Sequence, residues 1–342
     1  MFDPLATPLL FAIFAAAALV VLTGGIRMTG QADLLADRTG LGEALVGGVL
    51  LGAATSLSGT IVSVTAAMDG RASLAFSNGI GGIAAQTAFL ALADILYRRA
   101  NLEHAAADLA NIFQGALLML MLALPLVAWL GPDAAILGLH PASYLLLVIY
   151  AGGVYASNRV REEPMWEAVE TDETAPDEED EEEEDAPSTR KLALSFAAIM
   201  AAMAVAGWVI ASVAGVLTDR FEIKASVVGA LMTAVVTSLP ELVTTLAAVR
   251  RGALQLAVGG IIGGNTFDTL FLVMGDAAYR EGSLYHAIGK DDVFWLAIGL
   301  CMTAVLTLGQ LYRQRQGPAG IGIESLSILG IYLAAIAIQT IL

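Results

Sequence analysis

A carboxylate in the middle of an apolar segment costs about 2.5–3.5 kcal/mol even on lenient insertion scales, so its presence needs a reason. The chain has two such residues in neighbouring segments. The first segment reads Thr237-Ser238-Leu239-Pro240-Glu241. Pro240 removes a backbone donor and frees a carbonyl one turn earlier. Thr237 and Ser238 add hydroxyl oxygens, and Glu241 adds a carboxylate. Carbonyls, hydroxyls and a carboxylate are the ligands with which a hard cation replaces its water. The second segment reads Gly259-Gly260-Ile261-Ile262-Gly263-Gly264-Asn265-Thr266-Phe267-Asp268. Its glycines allow close approach of another helix, Asn265 offers an amide oxygen, and Asp268 is the second midspan carboxylate. Taken singly, the first segment could be a proline kink and the second a packing stripe. Together they favour a cation site.

The elements that position these residues follow from composition. The chain has 342 residues, 57% hydrophobic and 15% charged, with a mean hydropathy of +0.73. Soluble domains carry about 25% charged residues, so an ordinary soluble enzyme is excluded. Ten apolar spans are expected, approximately Pro8 to Gly24, Leu41 to Met68, Ala72 to Tyr97, Ala110 to Leu130, Pro141 to Ser157, Lys191 to Leu217, Lys224 to Val249, Leu254 to Tyr279, Val293 to Tyr312 and Ile323 to Leu342. They are too long and continuous for barrel strands, and in lipid a helix satisfies its own backbone. Met1 to Thr7 lacks a basic residue, so the first span reads as a retained helix rather than a signal peptide. The single Cys301 excludes a disulfide framework, and His104, His140 and His286 all sit near span ends, so no histidine cluster suggests catalysis.

An internal repeat organises the spans. Shifted by 182 positions, Ala44–Arg98 lies over Ser226–Arg280 without a gap, with 18 of 55 positions identical. Thr55-Ser56-Leu57 matches Thr237-Ser238-Leu239, Gly81-Gly82 matches Gly263-Gly264, and Asp94 matches Asp276. Five helices per half is an odd number, so the halves cross in opposite directions. The expected fold class is an all-α polytopic membrane protein with ten transmembrane helices as two inverted five-helix repeats, residues 1–158 and 191–342. Inverted repeats are typical of secondary transporters, whose site lies at the midplane between the halves.

The stretch between the halves, 159–190, is strongly acidic. Residues 160–190 hold 15 of the 33 acidic residues and 2 of the 17 basic ones, including the run Asp177 to Asp185. A like-charge block cannot bury apolar surface, so a disordered tether is expected, with a calcium-attracting or regulatory segment as the alternative. The rest of the chain is near neutral, which excludes a basic nucleic-acid surface. With the N-terminus outside, 12 of the 17 basic residues fall on the cytoplasmic side. Both termini are then outside and the acidic loop is cytoplasmic. Asp94 and Asp276 each precede an arginine by four residues, Arg98 and Arg280, which reads as a structural ion pair near the interface. Glu43 reads as an acid at a helix start. Trp129, Trp208 and Trp295 read as interfacial anchors.

These segments resemble the two alpha repeats of the cation/calcium exchanger superfamily, most closely its prokaryotic, sodium-dependent branch. That branch has Thr-Ser-Leu-Pro-Glu on one helix and Gly-Ser-Asn-x-x-Asp on the next. The counterparts here are Thr237 to Glu241 and Gly263 to Asp268. The Gly-Asn-Ala-Ala-Glu signature usual in proton-coupled relatives is absent. The resemblance implies that Thr237 and Glu241 bind calcium, that Ser238 and Asp268 contribute to sodium or proton sites, and that Thr55 and Ser56 hold the matching first-half positions. The chain also departs from the pattern. Ser58-Gly59 replaces the first-half Pro-Glu, Gly82 and Gly264 stand where serine is common, Ile83 replaces asparagine, and Gln86 stands opposite Asp268.

The expected function is a secondary cation antiporter of the bacterial inner membrane, exchanging calcium for sodium or protons by alternating access. The expected ion ligands are Thr55, Ser56, Gln86, Thr237, Ser238, Glu241, Asn265 and Asp268. No cofactor is expected. The partners are the lipid bilayer and small inorganic cations, with no nucleic acid. A sodium/proton or other-cation antiporter is the nearest rival, and a non-transporting cation sensor or scaffold is the rival of another class. No nucleophile–base pair suggests an enzyme.

Overall fold

The computed structural model of the chain describes residues 2–39, 55–97, 99–167, 169, 171 and 188–341. The regular elements among them are helices. The principal ones are α1 (Thr7–Thr39), α2 (Leu57–Met68), α3 (Ala72–Tyr97), α4 (Leu102–Ala105), α5 (Leu109–Leu130), α6 (Pro141–Glu162) and α7 (Thr189–Phe221). They continue as α8 (Ala225–Thr237), α9 (Leu239–Arg251), α10 (Leu254–Asp268), α11 (Leu270–Ala278), α12 (Leu284–Ala287), α13 (Lys290–Tyr312) and α14 (Ile323–Ile341).

Among the described residues, seven spans are long and apolar enough to cross a membrane, or eight if the bent pair α8–α9 is one span. The protein is therefore a multi-pass membrane protein. α2 carries the described end of the expected second span; residues 41–54, Glu43 among them, lie outside the described residues. α6 is 22 residues long, but Tyr144, Tyr150, Tyr155 and Asn158 lower its hydropathy, and it is not among the seven. Two expectations about length change. α1 runs on past Gly24-Gly25 to Thr39, and α7 spans 33 residues. A helix tolerates an interior glycine at a cost of about 1 kcal/mol, and these two pack closely along each other. The acidic run Asp177–Asp185 lies outside the described residues.

The 182-residue periodicity reappears in the boundaries of the elements. Thr7 and Thr189, Leu57 and Leu239, Ala72 and Leu254, Leu102 and Leu284, and Pro141 and Ile323 are helix starts that lie 182 residues apart. Within two residues of their ends, α2 and α9 are both followed by a glycine in the left-handed region, Gly70 at φ +72° and Gly252 at φ +88°. That conformation closes a helix without the Cβ penalty. α3 is buried along almost its whole length and forms the centre against which α2, α8, α10, α13 and α14 pack.

Asp94 and Asp276 hold the chain reversals rather than salt bridges. Asp94 accepts from the backbone N–H groups of Leu102 (2.7 Å) and Gly322 (2.9 Å). Asp276 accepts from those of Leu284 (3.0 Å) and His140 (2.8 Å), and from the Ser143 hydroxyl (2.8 Å). Leu102 and Leu284, and His140 and Gly322, are again 182 residues apart, so the two carboxylates make equivalent clasps. The expected Asp276–Arg280 ion pair is not among those formed by the described residues; Arg98 lies outside them. The reason is that the chain turns directly after α11, bringing bare N–H groups closer to the carboxylate than a guanidinium four residues on. Trp295 is also not an interfacial anchor. It is fully buried and packs beside Tyr332.

The clasp makes a prediction. Asp276→Ala should lower the thermal midpoint in detergent substantially, whereas Arg280→Ala should change it little. A hydrogen bond to a charged group contributes about 1.5–3 kcal/mol, and the buried donors would be left unpaired. Equal losses in the two variants would restore the ion-pair reading.

Candidate ion-binding site

The site is built where regular helix fails. α8 contains a π-helical stretch, Val228–Thr233, and meets α9 at Ser238 with a bend of 46°. Pro240 lies in the first turn of α9, where its missing N–H is tolerated. Glu241 follows it in the same turn, at the positive end of the helix dipole. The Thr237 hydroxyl donates back to the carbonyls of Thr233 (3.0 Å) and Ala234 (3.2 Å), leaving its lone pairs outward. A break in the helix axis thus turns hydroxyls and a carboxylate toward one point.

That point is a cavity of about 10 Å³, room for the centre of one water-sized particle. Ser56, Gln86, Thr237, Ser238, Glu241 and Asp268 all line it. Asp268, at the end of α10, accepts from the Ser56 hydroxyl (2.5 Å) and from Gln86 Nε2 (2.7 Å). Gln86 Nε2 also donates to Ser238 Oγ (3.1 Å). Gln86 and Asp268 are repeat counterparts, as are Ser56 and Ser238. Each serine therefore reaches the residue at position 86 or 268 across the halves, and the two counterparts bond to each other. Thr55 is hydrogen-bonded to Glu241.

Both carboxylates are almost fully buried. Among the described residues no Lys, Arg or His forms an ion pair with either. A buried anion without a counter-charge is costly, so such a site favours a cation or a proton. Glu241 Oε2 and Gln86 Oε1 are buried with no hydrogen-bond partner among the described residues. Free oxygens beside a water-sized space are what a hard cation coordinates.

Two of the eight expected ligands, Thr55 and Asn265, do not line the cavity. The Asn265 side chain lies one turn before Asp268 and donates to Thr87 Oγ1 of α3 (3.1 Å), tying α10 to α3. Two residues that line the cavity were not expected, Asn78 and Phe271. Asn78 Nδ2 donates to the Gly59 carbonyl (3.0 Å) and to Ser63 Oγ (3.0 Å), and its Oδ1 accepts from Thr233 Oγ1 (2.7 Å). With both its polar atoms engaged, it fixes α2, α3 and α8 relative to one another. An asparagine in the middle of an apolar span was a signal available in the sequence. Phe271 offered none, because an apolar residue in an apolar helix carries no mark of what it faces.

Comparison with known proteins agrees with this architecture. The sequence profile of the family described as sodium/calcium exchanger protein matches residues 9–157 and 191–341, both sides of the acidic stretch. The inner membrane protein YrbG of Escherichia coli (strain K12) is 31% identical over 121 residues, which are 35% of this chain and 36% of that protein. The match thus spans about a third of that relative's length. In fold, the chain resembles the sodium-calcium exchanger NCX_Mj soaked with 100 mM Na+ and 10 mM Sr2+, at 18% identity and a TM-score of 0.59, covering 97% of this chain and 99% of that one. It also resembles native YfkE, at 12% identity and a TM-score of 0.62, covering 98% and 92%. With a profile that spans both halves of the chain, the protein belongs to the sodium/calcium exchanger family.

Proposed function

We propose that the chain exchanges calcium for sodium or protons across a bacterial inner membrane by alternating access, with Glu241 and Asp268 as the charged ligands. The observation that carries this reading is the pair of buried carboxylates that no basic side chain among the described residues neutralises, facing a cavity the size of one dehydrated particle. In this reading ten helices form two inverted five-helix halves, residues 1–158 and 191–342, joined by a cytoplasmic acidic linker at 159–190, with both termini outside. The recurrence of helix starts at a fixed offset supports the two halves. The excess of basic residues on one side supports the orientation. Thr55, Ser56, Gln86, Thr237 and Ser238 supply neutral oxygens around the ion, and Asn265 braces the helix that carries Asp268.

A second reading, exchange of a monovalent cation for protons, is favoured by one observation. Gly59 stands at the counterpart of Glu241, so the first half brings no carboxylate to the cavity. Ion flux in proteoliposomes under separately imposed sodium and pH gradients discriminates. Calcium uptake driven by either gradient supports the first reading; sodium movement coupled only to pH, with calcium inert, supports the second.

The linker has its own test. Replacing Thr171 to Pro187 with a Gly/Ser segment of equal length should leave maximal flux within about twofold, because a like-charge block cannot bury apolar surface. Loss of flux in a well-folded variant would assign the linker a regulatory role.

A further inference from the structure

We propose that Phe271 is a specificity-determining residue of this site: its ring fills the volume that a side chain from position 59 would take, and so limits the cavity to two carboxylates and one small cation. This rests on the cation-site reading above and deepens it.

The geometry is direct. A Cβ placed on Gly59 would lie 2.7 Å from Phe271 Cε2 and 3.0 Å from Cζ, inside van der Waals contact. A Cβ on Gly79 would lie 3.3 Å from Phe271 Cβ. Two first-half glycines, one on α2 and one on α3, thus form the socket for a second-half ring, which is itself 4% exposed and lines the cavity. The other half has no such socket. The residues 182 positions on from Gly59 and Gly79 are Glu241 and Ile261. Gly59 is therefore more than a lost ligand. Its missing side chain and the Phe271 ring are complementary, and an aromatic ring occupies the site's first-half wall.

The consequence is electrostatic as well as steric. A ring contributes no formal charge, so Glu241 and Asp268 alone offset the bound charge. Two carboxylates balance one divalent ion, two monovalent ions, or one monovalent ion together with one proton. A cavity of about 10 Å³ admits no hydrated ion. The substrate class is then a single dehydrated cation bound at one time, rather than a set of several held together.

The test uses the full-length protein in detergent, with calcium titrated by calorimetry into wild type, Gly59→Glu, Phe271→Ala and the double variant. Gly59→Glu alone should bind calcium no better than wild type, because the ring stands in its way. The double variant should bind about tenfold or more tightly than Phe271→Ala, since affinity for a hard divalent ion rises with the number of charged ligands. A gain in Gly59→Glu equal to that of the double variant would overturn the proposal, as would a folded double variant with no gain.

Thermal unfolding of the smaller pair keeps the proposal testable should the glutamate variants fail to fold. Gly59→Ala should lower the midpoint in wild type and leave it unchanged in the Phe271→Ala background; equal lowering in both overturns the proposal. Glu241→Gln separates the two levels. If it binds calcium normally, the cation site itself is misplaced. If it abolishes binding while the double variant gains nothing, only the role of Phe271 falls.

Discussion

Glu241→Gln should reduce exchange in proteoliposomes to background, while Thr55→Ala retains a readily measured fraction. Glu241 is buried, lines the cavity, and has one oxygen without a hydrogen-bond partner among the described residues. Gln is close to isosteric, so the loss tested is charge. Removing one partner from a buried charge pair costs about 3–5 kcal/mol, which corresponds to about 100-fold or more in ion affinity. Thr55 acts on the site through its hydrogen bond to Glu241, and a neutral bond contributes about 0.5–1.5 kcal/mol. Asp268→Asn should fall near Glu241→Gln, because the amide removes the charge and also sets an NH2 donor against one of the donors, Ser56 or Gln86, that the carboxylate accepts from. Normal flux in Glu241→Gln would show that the cation passes elsewhere.

The second half of this site could be read from the sequence because buried ionisable groups are expensive and therefore rare. Glu241, Asp268 and the hydroxyls beside Pro240 stood out against an apolar background, and the 182-residue shift pointed to Thr55, Ser56 and Gln86 as their counterparts. The structure brings six of the eight expected residues to the cavity wall and ties Thr55 to Glu241. What could not be read were the partners. Asp276 looked like half of an i,i+4 ion pair, yet a sharp turn gives it backbone N–H groups instead. Trp295 had the position of an anchor and is buried. The role of Phe271 depends on two glycines far from it in sequence, a relation that exists only once α2, α3 and α11 are packed. The 46° bend in α8–α9 was implied by Pro240, but the π-helical stretch before it has no residue signature that distinguishes it from ordinary helix.

The fold also shows how the two halves depend on each other. Ser56 of one half bonds Asp268 of the other, and Gln86 bonds both Ser238 and Asp268. Any relative movement of α2 or α3 against α9 and α10 must break or lengthen these bonds. On the proposed reading, a cation at Asp268 would use the lone pairs that Ser56 and Gln86 leave free, so ion binding and the packing of the halves would meet at one carboxylate.

The second large effect should come from glycines that touch no ion. Gly25→Val and Gly207→Val should each reduce exchange by about tenfold or more, the equivalent of ~1.4 kcal/mol, while Gly30→Ala leaves it unchanged. A Cβ on Gly25 of α1 would overlap the ring of Pro240, the residue beside Glu241. A Cβ on Gly207 of α7 would lie 2.8 Å from the Ser58 carbonyl oxygen, beside Gly59. Gly25 and Gly207 are repeat counterparts, and so are Pro240 and Ser58. Each long helix therefore crosses the site-bearing segment of the opposite half at a glycine. Overpacking such a contact costs about 1–3 kcal/mol, and the strain falls on backbone that positions the ligands. At Gly30 nothing described lies within 4 Å of an added Cβ, so Ala there should add only helix propensity. Flux and thermal midpoint, measured together, separate the causes. A lower midpoint with flux preserved would make these crossings purely structural, and equal losses at Gly30 would make them a general property of glycine in these helices. Loss of flux with the midpoint nearly intact would show that the close crossings themselves set the geometry of the ion site.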